Sequence, residues 1–145
     1  MKNKIDIVII EDNPNDAELM VRSMKKNRLA NSIIVLEDGE LALDYFFSRG
    51  KYAGKKIVCT DKVIFLDLKL PKVSGLEILK KLKNNDKTKN IPVVVVSSSK
   101  QDPDIKTAYE LGANSYVVKP IEYVDFVEMM NQLNLYWLVV NENSK

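Results

Sequence analysis

The stretch Ile5-Asp-Ile-Val-Ile-Ile-Glu-Asp-Asn-Pro14 decides the fold. From Ile5 to Ile10 it is apolar except at Asp6, rich in Ile and Val, and only a few residues long. Such a run suits a strand buried on both faces of a parallel sheet. Asn13-Pro14 then supplies a helix N-cap and a proline at the first helical position. Ala17, Met20, Val21 and Met24 follow at helical spacing. Glu11 and Asp12 therefore sit at the carboxyl end of a buried strand, just before a helix.

The same unit recurs along the chain. Strands are expected at Ser32–Leu36, Val63–Leu66, Ile91–Val96 and Ser115–Val118. Pro92 is tolerated because it lies near a strand start. Helices are expected over Glu40–Ser48, burying Leu41, Leu43 and Phe46 or Phe47, and around Leu76, Leu79 and Leu82. A fourth is capped by Asp102-Pro103 and ends near Gly112. A fifth runs from about Glu122 with Val127, Met130, Leu133 and Trp137 on one face. Strict alternation argues for an α/β doubly wound, five-stranded parallel sheet with five helices on its two faces. Arg49 to Lys62 is the irregular segment, with five basic residues, expected as a solvated extension of the second helix and its loop; partner docking is the second reading. The Leu135–Val140 tail is expected to cover core, with a dimer contact as the second reading.

Composition narrows the chemistry. The 145 residues suit one domain, 1–145. An apolar share of 46% is enough to bury a core, and a net charge of +2 argues for neither a nucleic-acid nor a membrane partner. There is no histidine, which excludes Ser-His-Asp and Cys-His nucleophile systems and His-based metal sites within the chain. The one cysteine, Cys59, excludes an internal disulfide and reads as inert. No run approaches a membrane span, so a cytoplasmic location is expected.

In a doubly wound sheet the ligand site lies at the carboxyl ends of the strands. Those ends carry Glu11-Asp12, Asp67, Ser97-Ser-Ser99 and Lys119-Pro120. Charges placed just beyond buried strands are costly unless they pair or bind something. Three gathered carboxylates repel, which raises at least one pKa, and a hard cation relieves the repulsion. Oxygen-only donors favour Mg2+, with Mn2+ as a mimic. A carboxylate beside such an ion can accept a phosphoryl group, with Lys119 and the Ser97 hydroxyl satisfying further phosphate oxygens. Taken singly, each feature has a plainer reading: Glu11-Asp12 as a helix N-terminal acid cluster, Lys119 as an ion-pair partner of Asp67, Ser97–Ser99 as a turn, and Tyr116 as an ordinary strand aromatic.

Acidic pair, acceptor Asp, hydroxyl, aromatic and Lys-Pro in this order resemble the receiver domain of two-component response regulators, a resemblance that implies a domain core of about 4–136. The spacings of 30 residues from Asp67 to Ser97 and 22 from Ser97 to Lys119 match that family. The segments Glu11–Asp16 and Leu66–Lys72, with Tyr136-Trp137, resemble most closely the small stand-alone regulators that partner phytochrome-type histidine kinases. The resemblance implies a flavodoxin-like sheet of strand order 2-1-3-4-5. It implies Asp67 as phosphoacceptor, Asp12 as a direct Mg2+ ligand, Glu11 as one acting through water, and the Lys69 backbone carbonyl as the remaining ligand. Ser97 and Tyr116 are the implied switch pair and Lys119 the phosphate partner, with a cis peptide at Lys119-Pro120. The implied donor is a sensor histidine kinase, phytochrome-type in the closest relatives, or a phosphotransfer protein. Those partners bring the histidine that this chain lacks.

Lys69 and Ser99 occupy positions that tune dephosphorylation in the family, so the phosphate lifetime stays open. A homodimer through the helix 4–strand 5–helix 5 face is a further implied contact. Two other readings stand beside this one: a degenerate receiver acting only as an interaction module, and an aspartyl-phosphate phosphohydrolase. Lys69 argues against the second, because such hydrolases carry an acid/base Asp two residues after the nucleophile. A nucleotide-binding Rossmann domain fails for want of a Gly-rich turn after the first strand.

Overall fold

The computed structural model describes residues 5–26, 30–98 and 101–119. Its elements are β1 (Ile5–Ile10), α1 (Pro14–Lys26), β2 (Ala30–Leu36), α2 (Gly39–Phe46), β3 (Lys62–Leu66), α3 (Gly75–Lys83), β4 (Val93–Ser97), α4 (Asp102–Glu110) and β5 (Ser115–Val118). All strand pairs are parallel, in the order β2-β1-β3-β4-β5. The expected fifth helix and Leu135–Val140 tail, Ser99 and Pro120 lie outside the described residues.

The two-residue alternation of strand side chains divides the core. Val8, Ile10, Ile64, Leu66, Val93 and Val95 turn to one face, where they meet Leu43 and Phe46 of α2, Ile78, Leu79 and Leu82 of α3, and Ala108 of α4. Ile7, Ile9, Val63, Phe65, Val94 and Val96 turn to the other, against Met20 and Met24 of α1. Every residue of β3 and β4 is buried, as expected of central strands covered on both sides. Each fully buried aliphatic side chain contributes roughly 1.5–3 kcal/mol against exposure.

Several boundaries differ from the pattern reading. β2 starts at Ala30, two residues before the expected Ser32, because pairing with β1 continues past the apolar run. β4 begins at Val93: Pro92 has no N–H to give, and its carbonyl, accepting from Ile64 N at 2.9 Å, makes the first bond of the β3–β4 ladder. The N-cap of α4 is Gln101, with Asp102 and Pro103 inside the first turn. α2 buries Ala42, Leu43, Tyr45 and Phe46, while Leu41 and Phe47 are only partly covered.

The 49–62 segment is less solvated than its charge suggests. A short 3-10 turn at Gly50–Tyr52 sets the Tyr52 ring edge-on to Tyr45, with centroids 5.2 Å apart. Ile57 and Cys59 pack against the α2–α3 core, while Arg49, Lys51, Lys55 and Lys56 remain exposed. Lys62 is buried as the first residue of β3, its ammonium 3.9 Å from Asp6 and 5.9 Å from the Tyr45 ring centroid.

Candidate phosphoacceptor site

Three residues of the site continue the sheet ladder one step past the strands. Glu11 N donates to Leu36 O at 3.0 Å, Asp67 N to Ile10 O at 3.0 Å, and Lys119 N to Ser97 O at 2.6 Å. The backbone of each is therefore held by a neighbouring strand, while its side chain leaves the sheet at the carboxyl rim. Gly75, the first residue of α3, allows the loop after Asp67 to fold back tightly. A Cβ there would lie 2.3 Å from the Asp67 carbonyl oxygen, and Gly75 N donates to Leu68 O. The same loop is tied to α2 by Gly39 N donating to Pro71 O at 3.2 Å. Lys72, in a left-handed conformation (φ 71°), places its ammonium 3.6 Å from both Asp38 and Glu40.

At the centre is the Lys119 ammonium. It donates to Glu11 Oε1 at 2.7 Å, Asp16 Oδ2 at 2.9 Å and Asp67 Oδ2 at 3.2 Å. The other oxygen of Glu11 accepts from Asn13 N at 3.1 Å, and Asp67 Oδ1 accepts from Lys69 N at 3.1 Å. Asn13 caps α1 as expected, its side-chain oxygen accepting from the amides of Asn15 and Asp16.

Glu11, Asp12 and Asp67 each offer a carboxylate oxygen, and the three oxygens lie within 4.8 Å of one another. Glu11 and Asp67 are buried and Asp12 is exposed. Burial pushes the Glu11 carboxyl up to about 7, against the lowering effect of Lys119 and the Asn13 amide, and the nearby Asp67 charge adds to the rise. Lys119 moves the other way from what its burial alone would do. Burial lowers an ammonium's pKa, but hydrogen bonds to Glu11 and Asp16 and the Asp67 charge lift it well above the ordinary lysine range. Burial, more than repulsion from the neighbouring acid, sets the Glu11 shift. An all-oxygen donor set converging in this way fits a hard divalent cation of the magnesium class.

Residues 11, 12, 67 and 119, expected at one rim, are brought together there. Ser97 closes β4 and is fully buried, adjacent to Lys119 through its carbonyl. Tyr116 is half-buried on β5, opposite Val95 and packed on the larger core cluster. The Lys69 side chain is exposed, and its amide is the group that touches Asp67. The residue missed by sequence reasoning is Asp16. It lies in the first turn of α1, where an acid is ordinarily read as a helix-dipole partner. The available signal was its position one turn beyond the Glu11-Asp12 pair.

Residues 7–131 match the model of the response regulator receiver domain. The response regulator Rcp1 of Synechocystis is 33% identical over 132 residues, covering 91% of this chain and 88% of the relative. The structure of Rcp1 in its Mn2+-bound form has a TM-score of 0.80 at 32% identity, covering 92% of this chain and 94% of that one. The phosphorylated cyanobacterial phytochrome response regulator RcpA gives 0.82 at 30% identity, covering 93% and 94%. The bacteriophytochrome response regulator RtBRR gives 0.76 at 40% identity, covering 90% and 78%. No helix among the described residues is long and apolar enough to cross a membrane.

Proposed function

The chain belongs to the response regulator receiver family, a family of signalling domains in two-component systems, and on that premise we propose that Asp67 is its phosphoacceptor. The observation that carries this reading is the buried Asp67 carboxylate, set among two further acids and 3.2 Å from the Lys119 ammonium. The donor is a sensor histidine kinase of the phytochrome type, or a phosphotransfer protein. An Asp67 oxygen attacks the phosphorus of the donor's phosphohistidine. The P–N bond breaks, its electron pair returns to the imidazole, and an acyl phosphate forms on Asp67.

Asp12 and Asp67, the Lys69 carbonyl, and Glu11 through water would hold a Mg2+ ion, or Mn2+ in its place. When bound, the ion supplies charge neutralisation to the phosphoryl oxygens. Lys119 neutralises another of those oxygens, and the Ser97 hydroxyl hydrogen-bonds a third. Drawing Ser97 toward the phosphate lets Tyr116 repack and alters the face built from α4 and β5 with the expected fifth helix, a two-state element biased by new charge. That face is also the one proposed for a homodimer, and the protein acts in the cytoplasm. Nothing in this scheme calls for nucleic acid or a membrane.

The test is incubation with Mg2+ and acetyl phosphate followed by intact-mass measurement. A single phosphate adduct that disappears in Asp67→Asn is the expected outcome. An adduct that persists in that variant refutes the assignment, and steady phosphate release from many monoesters would instead indicate a hydrolase.

A further inference from the structure

Resting on the phosphoacceptor reading, we infer that Asp16 is a positioning residue, holding the Lys119 ammonium at the site once a cation has claimed the other acids. A lysine ammonium has three donors, and here three carboxylates engage it: Glu11, Asp16 and Asp67. They are not equivalent. Glu11 and Asp67 belong to the trio of converging oxygens that fits a divalent ion, and Asp16 does not. A cation bound to that trio compensates the charge of Glu11 and Asp67, so their pull on Lys119 weakens. Asp16, 2.9 Å from Nζ, stands outside the trio, so its pull on Lys119 is not offset by the ion.

The geometry also explains why the tether can let go. The side chain of Asp16 is 40% exposed, against 2% for Glu11 and 9% for Asp67. Water can replace Lys119 at Asp16 at small cost, whereas an orphaned Glu11 would stay buried. The ammonium is therefore held near Asp67 while the site is loaded, and can turn to phosphoryl oxygens as they arrive. The position of Asp16 is fixed from outside the sheet, since Asn13 caps its backbone amide.

Two measurements test this. In the Mg2+-loaded protein, nitrogen relaxation of the isotope-labelled Lys119 ammonium should show an ordered group that becomes mobile in Asp16→Asn; equal order in both overturns the inference. With acetyl phosphate, the saturating rate of adduct formation should fall by about threefold in Asp16→Asn. In a Lys119→Met background, the same substitution should then have no further effect. An unchanged or faster rate, or a loss that persists without Lys119, as a purely helix-stabilising Asp16 would produce, overturns it. If the parent protein takes no phosphate at all, the phosphoacceptor reading falls, while the relaxation measurement still reports on the tether.

Discussion

Replacing Lys119 with Met keeps the apolar stem and removes the charge that faces three carboxylates. Two of these, Glu11 at 2.7 Å and Asp67 at 3.2 Å, have side chains only 2% and 9% exposed. Breaking a buried pair by deleting one partner typically costs about 3–5 kcal/mol, because the remaining charge stays desolvated. The Asp16 contact adds less than about 1 kcal/mol, since that group is substantially solvated. Glu11 softens the loss. With its pKa already near 7, it can take up a proton close to neutrality.

The expected net loss is about 3 kcal/mol at neutral pH, or roughly 6–12 °C in Tm for a chain of this size. The sign of its pH dependence follows from the folded pKa being raised above 4.5. The folded state then binds more protons than the unfolded one across the window from 4.5 to about 7, so this group's contribution to stability falls as pH rises through it. Without Lys119 the Glu11 pKa rises further. The deficit of the variant should therefore grow as pH rises through 7 and level off below it, where Glu11 is protonated in both folded proteins. Urea unfolding on both sides of pH 7 is the assay, and added Mg2+ should recover more stability in the variant than in the parent. A loss below about 1 kcal/mol at neutral pH, or one that grows on acidification, would refute the premise that burial makes these acids depend on Lys119.

Other consequences are equally accessible. Cation binding favours ionised Glu11, so Mg2+ affinity should rise as pH increases through about 7, with proton release measurable by calorimetry in buffers of different ionisation enthalpy; a flat affinity contradicts it. Gly75→Ala drives a Cβ against the Asp67 backbone carbonyl, so it should cost about 1–3 kcal/mol in urea unfolding and slow adduct formation seen by intact mass. Thr88→Val removes the buried hydroxyl that donates to Leu82 O at 2.6 Å. That carbonyl is one of the orphan acceptors at the end of α3, and the expected loss is about 1 kcal/mol by thermal melt.

The legible part of the fold was the part carried by local pattern. The Ile/Val runs of β1, β3 and β4 announce strands covered on both faces, and Asn13-Pro14 marks a helix start through its capping chemistry. The errors fall where long-range contacts overrule composition. Lys62 reads as one of a solvated basic group, yet ladder pairing with Asp6 of β1 draws it inside. Tyr45 is absent from the expected apolar face of α2, yet edge-on contacts with Phe46 and Tyr52 bury it.

For the site, the division runs between inventory and arrangement. Which acids and which lysine stand at strand ends follows from alternation along the chain, because a parallel sheet brings all carboxyl ends to one rim. Their electrostatic relations do not follow, since pKa values and ion pairs depend on distances of a few ångströms between segments far apart in sequence. Only the folded chain decided that burial would raise the Glu11 pKa, that Gly75 would press against the Asp67 carbonyl, and that Asp16 would share the Lys119 ammonium. Coulomb interaction and desolvation act through space, and the order of residues specifies that space only after the sheet has closed.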